Sequence, residues 1–316
     1  MKSKKRRDMI FYCFMIALPV IQFCIMYIGV NINSILLAFK EYDLNMNFTW
    51  TMGNFMEVIK NFLGDEYLQT SLRNSVFFYL ITKVITLPTS LIISFYFYKN
   101  FPFSRILKVI LFLPSVIAGV VAVTVFYYIA DRGWPILVEL FTGKTDAMGL
   151  LVNSDTRLVT LLAWNTFYSL ASGFLFYSSA MSGIDESISE AARVDGASMM
   201  QEFRYITLPM IFPTFYTFLV SGVAGALIGD YGMYAFSKTA GGSAVPTMGY
   251  YITSGIMSDT SQVRYPYFAA LGIVLSILTS IIVFSTRGFL NRLDPYEEKD
   301  VTQKRRKRNK TEGKFV

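Results

Sequence analysis

The sequence contains no histidine, only two cysteines and few charged residues. Lys, Arg, Asp and Glu make up 16% of the 316 residues, which is less than soluble domains carry. The lack of histidine excludes His-based catalytic dyads and triads and removes the commonest metal ligand. Cys13 and Cys24 lie in one apolar run, roughly 16 Å apart along a helix, which is too far for a disulfide. No carboxylate pair has a defined spacing, so we expect no catalytic residues, no metal site and no cofactor bound by this chain.

Long apolar runs occupy most of the chain, and 53% of the residues are hydrophobic. Runs of this length predict an all-α, polytopic membrane protein. The six predicted membrane helices cover residues 9–32, 71–98, 109–130, 157–181, 210–236 and 263–284. The first run exceeds the roughly 7–15 residues of a signal-peptide core and has no A-x-A cleavage site after it. We therefore interpret it as a membrane helix within a membrane domain at 9–286, flanked by basic ends at 1–8 and 287–316.

The distribution of positive charge predicts the orientation in the membrane. Twenty of the 29 Lys and Arg residues lie in the segments 1–8, 99–108, 183–209 and 287–316. Because cytoplasmic loops carry an excess of Lys and Arg, these four segments are expected in the cytoplasm, together with both termini. The basic run Lys304–Lys310 is best explained by contact with anionic lipid headgroups, and we expect no nucleic-acid partner.

One predicted cytoplasmic segment, residues 183–209, has the pattern of a helix, a glycine elbow and a second helix. Ser187 with Glu190 predicts a capping box at the start of the first helix, and Gly196 suits a left-handed C-cap. Ser198 with Gln201 predicts a second capping box.

This segment resembles the EAA loop of ABC importer permeases. The family pattern, EAA-x-x-DGA followed by an aromatic residue and I-x-x-P-x-x-x-P, is met by Glu190, Ala191, Ala192, Asp195, Gly196, Ala197, Phe203, Ile206, Pro209 and Pro213. The resemblance implies the type I importer permease fold, with the loop as a coupling helix that docks on a cytoplasmic ATPase dimer. The ATPase would be a separate chain that binds ATP. In this chain, Gly143-Lys144-Thr145 ends like a phosphate-binding loop, but Val138 stands where that motif needs glycine.

The region from Asp230 to Ala270 resembles carbohydrate permeases of the maltose, glycerol-phosphate and multiple-sugar type. The resemblance rests on Asp230 with Tyr234, Gly241-Gly242, Tyr250-Tyr251, Tyr265 and Phe268-Ala269-Ala270. It implies import of a sugar or oligosaccharide delivered by an extracytoplasmic binding protein. It also implies a non-catalytic subunit in a bacterial cytoplasmic membrane, paired with a second permease, and we expect a heterodimer.

Six residues are candidates for the substrate path: Asp230, Tyr231, Tyr234, Trp164, Asn165 and Tyr168. Carboxylates and amides bind sugar hydroxyls, and aromatic faces stack on sugar rings. The alternative is that Asp230 is an interfacial cap and that the tyrosines belong to the aromatic belt. For Lys83, which lies within the second span, snorkelling or pairing with a neighbouring helix is favoured over a role in the path. Four glycines in span five, including Gly225 and Gly229, predict a helix-packing seam.

Three other functions remain open. The chain could be an importer permease for a peptide or a polyamine. It could be an ion-driven secondary transporter, although neither inverted repeats nor several intramembrane acids are clear in the sequence. It could also be a membrane scaffold or sensor that binds an ATPase-like protein without transporting anything.

Overall fold

The structure is a computed structural model, and it describes residues 2–43, 47–239, 245–259 and 262–292. These residues divide into two units. The first contains the described residues up to Gln69 together with Ile252–Ile277, and the second contains Thr70–Tyr251 and the described residues from Leu278 onward.

The first unit begins with a long helical stretch and a small strand pair. Its successive elements are α1 (Lys2–Gln22), a π-helical stretch (Phe23–Gly29), α2 (Val30–Leu37), β1 (Lys40–Tyr42), β2 (Phe48–Trp50) and α3 (Gly53–Gly64). The strands are antiparallel, with Lys40 opposite Trp50. The buried Asn54 side chain donates hydrogen bonds to the carbonyl oxygens of Ala38 (3.0 Å) and Lys40 (2.7 Å). This side chain therefore fixes the start of α3 against the hairpin.

The remaining helices follow in order. They are α4 (Glu66–Tyr98), α5 (Ser104–Val116), α6 (Gly119–Tyr128), α7 (Trp134–Thr142), α8 (Ser154–Ser182), α9 (Glu186–Val194), α10 (Met199–Glu202), α11 (Leu208–Met210), α12 (Phe212–Gly225), α13 (Met233–Thr239), α14 (Met248–Ser258) and α15 (Tyr265–Asn291). Two π-helical stretches, Ile129–Gly133 and Phe203–Thr207, join α6 to α7 and α10 to α11. The long helices α4 and α15 contribute residues to both units.

Within the described ranges, five helical stretches are long and apolar enough to cross a membrane, and a bent pair of helices can supply a sixth. The five are Phe11–Leu37, Glu66–Tyr98, Gly119–Thr142, Ser154–Ser182 and Tyr265–Asn291, and the bent pair is Met199–Met210 with Phe212–Gly225. The predicted fold class, a polytopic all-α protein, is confirmed, and the short strand pair is an addition to it.

Two predicted spans are not single helices. The segment 109–130 is divided because Pro114 lies near the end of α5 and Ile117 is extended (φ −80°, ψ 136°). The continuous stretch instead begins at Gly119 and runs to Thr142, twelve residues beyond the predicted end of this span. The segment 210–236 is interrupted after Gly225, and α13 begins only at Met233. Gly229 lies beyond the end of α12, so Gly225 and Gly229 do not lie on one continuous helix. The predicted packing seam of glycines along this helix is therefore wrong.

Small hydroxyl side chains let α4 and α8 approach closely. Six such residues on α4 are buried, Ser71, Ser75, Thr82, Thr86, Ser90 and Ser94; of these, Ser90 and Ser94 contact α8, whereas the Ser75 hydroxyl accepts the Met248 N–H. The Ser94 hydroxyl donates to the Phe174 carbonyl oxygen (2.8 Å), and a Cβ on Gly173 would lie 3.0 Å from the Ser90 Oγ. Close approach through small and hydroxylated residues is typical of membrane helices. This packing places one side of α4 next to α8, where the candidate substrate residues lie.

Candidate functional site

The loop between α8 and α12 begins with a capped helix. The Asp185 carboxylate accepts the Ser187 N–H at 3.0 Å, and α9 starts at Glu186. The predicted cap at Ser187 is therefore wrong, because Asp185 supplies an equally good capping oxygen two residues earlier. The pKa of the Asp185 carboxyl lies below its ordinary value, since the backbone N–H and the hydroxyl of Ser187 donate to it.

The elbow that follows has the predicted geometry. Gly196 has φ +76°, its N–H donates to the Arg193 carbonyl oxygen (3.1 Å), and the Ala197 N–H donates to the Ala192 carbonyl oxygen (2.9 Å). These two bonds form a Schellman motif, which requires a left-handed residue at the position of Gly196. Ser198 and Gln201 form the predicted capping box at the start of α10. The helix, elbow, helix arrangement is thus encoded by local chemistry.

The six residues of the EAA-x-x-DGA part of the pattern, which the resemblance assigns to contact with the ATPase, differ in exposure. Glu190, Ala191, Asp195 and Gly196 are exposed, Ala197 is half-buried and Ala192 is buried. Three large apolar residues on the same loop are strongly exposed: Val194 (87%), Met200 (71%) and Tyr205 (69%). Val194 stands between the exposed charged residues Arg193 and Asp195, so the tip of the loop carries both apolar and charged side chains.

A buried ion pair joins this loop to the end of α4. The Lys99 ammonium pairs with the Glu202 carboxylate, and both side chains are almost fully buried. The Ser189 hydroxyl donates to the same carboxylate (2.6 Å) and accepts a hydrogen bond from Lys99 (2.6 Å). We call Lys99, Ser189 and Glu202 the clamp. It connects α9 and α10 to the turn that follows α4.

An apolar cluster lies beside the clamp. Its buried members are Leu91, Phe95, Tyr177, Met181 and Ile211, and Phe203 packs against them. The rings of Phe95 and Phe203 are 5.0 Å apart between centroids. The base of the loop is therefore packed on α4 and α8, while its tip stays exposed.

The candidate substrate residues lie around a cavity in the second unit. The cavity has a volume of about 590 Å³, and α4, α6, α8 and α12 contribute to its wall. Five of the six candidates line it: Trp164, Asn165, Tyr168, Asp230 and Tyr231. The sixth, Tyr234, is not among the lining residues, and its N–H donates to the Asp230 carboxylate.

Two aromatic side chains of α8 form part of the cavity wall. Trp164 and Tyr168 stack with ring centroids 5.3 Å apart. Trp164 is mostly buried and also packs on Phe126 and Phe236, so it supports the wall as well as facing it. Whether these side chains contact a substrate stays a prediction.

An irregular segment, residues 226–232, carries Asp230 and Tyr231 to the cavity. Tyr231 has φ +55°, its hydroxyl donates to the Ala226 carbonyl oxygen (2.9 Å), and its own carbonyl oxygen accepts from the Asn165 side chain (3.3 Å). A Cβ on Gly249 would lie 2.5 Å from the Asp230 backbone nitrogen, so only glycine fits there. The segment is thus held by backbone contacts on both sides.

The sequence analysis missed several residues of these sites. Tyr79, Thr82, Gly119, Ser169, Ser221 and Gly222 also line the cavity, together with Lys83. The spacing of Tyr79 and Lys83, one helical turn apart, was a signal that they share a face. The clamp had no such signal, because Lys99 and Glu202 are 103 residues apart in the chain.

A membrane chain with a capped, exposed elbow and a cavity among its helices has the form of a transporter permease. The family described as binding-protein-dependent transport system inner membrane component matches residues 86–295. This match covers more than half of the chain, and the chain belongs to that family. It is a multi-pass inner-membrane component of such a system.

Individual relatives agree with this assignment. A probable ABC transporter permease protein, YesP of Bacillus subtilis, is 27% identical over 270 residues, covering 84% of this chain and 86% of the relative. The arabinooligosaccharides transport system permease protein AraP of the same species is 24% identical over 228 residues, covering 70% and 71%. A chain in the crystal structure of a bacterial alginate ABC transporter, in complex with an alginate pentasaccharide-bound periplasmic protein, superposes with TM-score 0.74 at 18% identity, covering 93% of this chain and 98% of that one.

Proposed function

We propose that this chain forms half of the translocation pore of an ATP-driven importer for sugars or oligosaccharides. The observation that carries the proposal is the coupling loop: an exposed tip around Glu190–Gly196 on a base fixed by the clamp. Such a loop can bind a partner at its tip and transmit a displacement to α4 through a rigid base. The family to which the chain belongs supports an ATPase as that partner.

The substrate class is supported by the cavity and by the relatives. The stacked Trp164 and Tyr168 offer aromatic surface beside the Asn165 amide, which suits rings that carry hydroxyl groups. The names of AraP and of the alginate transporter specify saccharides. A peptide or polyamine substrate remains the alternative within the same class of transporter.

The remaining parts of the importer are other chains. A cytoplasmic ATPase dimer would bind and hydrolyse ATP, so this subunit needs no catalytic residue and no cofactor. A second permease would complete the pore, and an extracytoplasmic binding protein would deliver the sugar. The complex of the alginate transporter with a periplasmic protein supports the last of these partners.

The proposed mechanism is alternating access. ATP closes the ATPase dimer, the coupling loops move with it, and the pore opens outward to receive the sugar. The excess of Lys and Arg in segments 1–8, 99–108, 183–209 and 287–316 supports a cytoplasmic position for the loop and for both termini.

Purification of the tagged full-length chain from its own membranes tests this function. We expect an ATPase and a second permease to co-purify, and a sugar-loaded binding protein to stimulate ATP hydrolysis in proteoliposomes. Uptake that continues when the ATPase gene is deleted would favour an ion-driven transporter. Binding of an ATPase without any solute flux would favour a scaffold or sensor.

A further inference from the structure

A lysine forms part of the wall of the cavity. Lys83 lies on α4, one turn after Tyr79, and its side chain is half-buried. A second cavity of about 310 Å³ shares Tyr79, Lys83 and Ser169 with the first. The ammonium group is therefore placed where two spaces adjoin, between α4, α8 and α12.

The opposite wall is shaped to admit this side chain. A Cβ on Gly222 of α12 would lie 3.3 Å from the Lys83 Cε and 3.4 Å from the Tyr79 hydroxyl oxygen. A Cβ at position 222 would thus be tight against the end of the Lys83 side chain and in ordinary contact with the Tyr79 hydroxyl. The glycine thus leaves space for a cation and a phenol on facing helices.

No group of the described chain neutralises this cation. In the described residues, Lys83 makes no ion pair and no hydrogen bond, whereas Lys99 is paired with Glu202. Asp230 lines the same cavity and caps a helix, since its carboxylate oxygens accept the Tyr234 N–H at 3.1 and 3.3 Å, but it forms no ion pair with Lys83 in the described residues. A charge at membrane depth is costly unless a partner or a ligand compensates it.

A neighbouring hydroxyl also lacks a partner. Thr82 lines the larger cavity with only 3% of its surface exposed, and its Oγ1 has no hydrogen-bond partner in the described structure. A buried polar atom of this kind is normally satisfied by water or by a ligand. The Thr82 hydroxyl and the Lys83 ammonium can therefore serve the same bound group.

We propose that Lys83 recognises an anionic group on the transported saccharide, so that the natural substrates are acidic sugars carrying a carboxylate or a phosphate. This inference rests on the proposed import function and specifies its substrate class. The anion meets the ammonium of Lys83, and the aromatic side chains of Tyr79, Trp164 and Tyr168 border the sugar rings. Separate probes that carry a carboxylate and a phosphate distinguish which of the two anionic groups is recognised.

The test uses the purified importer complex with its binding protein in proteoliposomes. The probes are a galacturonate trisaccharide, a phosphorylated disaccharide and a neutral xylose trisaccharide. Lys83→Met removes the charge at similar length, Lys83→Arg keeps it, and Lys144→Met alters an exposed lysine of the loop after α7 as the control. We expect Lys83→Met to lower uptake of the transported acidic probe at least tenfold, with Lys83→Arg within about threefold of wild type and Lys144→Met unchanged.

Each other outcome has a defined meaning. Wild-type uptake of the neutral probe alone would overturn the acidic substrate and leave sugar import intact. Uptake of none of the three would reject the proposed sugar function itself. Equal loss for acidic and neutral probes, or poor co-purification of the Lys83→Met complex, would show that Lys83 supports the folded complex rather than an anionic substrate group, and would also overturn the proposal.

Discussion

One backbone angle sets the direction of the coupling loop. Gly196 has φ +76°, and no heavy atom lies within 4 Å of the position that its Cβ would occupy. A Cβ there would meet no steric obstacle, so the restriction on this position comes from the backbone angle. For most L-residues the left-handed region costs roughly 1–2 kcal/mol, while Asn tolerates it.

Two substitutions at Gly196 test whether coupling requires the left-handed backbone angle or glycine itself. We expect Gly196→Val to insert in the membrane at normal levels and to lose most of the sugar-stimulated ATPase activity, because a β-branched residue straightens the elbow. Gly196→Asn should keep most of that activity. ATP hydrolysis in proteoliposomes, with and without loaded binding protein, measures both. Normal coupling in Gly196→Val would contradict a role for the elbow.

The elbow was predictable because its signal is local. The glycine after EAA-x-x-D and the Ser-x-x-Gln capping box each determine the conformation of residues only a few positions away. The start of α9 was misplaced by two residues, since Asp185 and Ser187 are competing caps and sequence alone does not rank them. Lys83 was placed in a membrane helix correctly, but its position beside Gly222 of another helix is a long-range contact that the local sequence does not reveal.

The clamp joins three elements and fixes their relative positions. Lys99 follows α4, Ser189 lies on α9 and Glu202 ends α10. Removing one partner of a buried ion pair leaves an uncompensated charge, which costs roughly 3–5 kcal/mol, whereas removing both can be nearly neutral. This asymmetry makes the clamp testable.

We expect Lys99→Met and Glu202→Gln each to lower the melting temperature of the purified complex and the amount of sugar imported per ATP. The double variant should recover much of the stability, because neither charge remains buried alone. Arg204→Gln, which changes an exposed cation of the same loop, is the control. Additive losses in the double variant would show that the two residues act independently.

Helix boundaries were harder to predict than helix existence. Apolar composition located α4 and α8 to within five residues at either end, because each is one uninterrupted run, whereas α15 continues seven residues past its predicted end. Apolar composition did not predict the helix breaks at Ile117 and after Gly225, because the sequence remains apolar there although the helix is interrupted. In these places the backbone departs from helix because of proline, glycine and contacts from other elements, none of which changes the hydropathy.

For the whole molecule, orientation in the membrane decides whether the loop can meet an ATPase. After replacement of Cys13 and Cys24 by Ala, a single cysteine at Lys144 should react with an impermeant maleimide in intact cells. A single cysteine at Met200 should react only after permeabilisation. Both positions are exposed, so accessibility within the chain is matched. Labelling of Met200→Cys from outside would contradict the orientation inferred from the charges.

The bend at Ile211 has a mechanical consequence. The helix axis turns by 68° between the segments Met199–Met210 and Phe212–Gly225, and Ile211 is held in the apolar cluster. Gly222 lies eleven residues further along the chain, about 16 Å at 1.5 Å per residue. A rotation of α12 by about 10° about Ile211 moves Gly222, at the cavity end of the helix, sideways by about 3 Å. The bent pair can thus convert a displacement of the loop in the cytoplasm into a sideways shift at the cavity that is comparable to the width of a hydroxyl group.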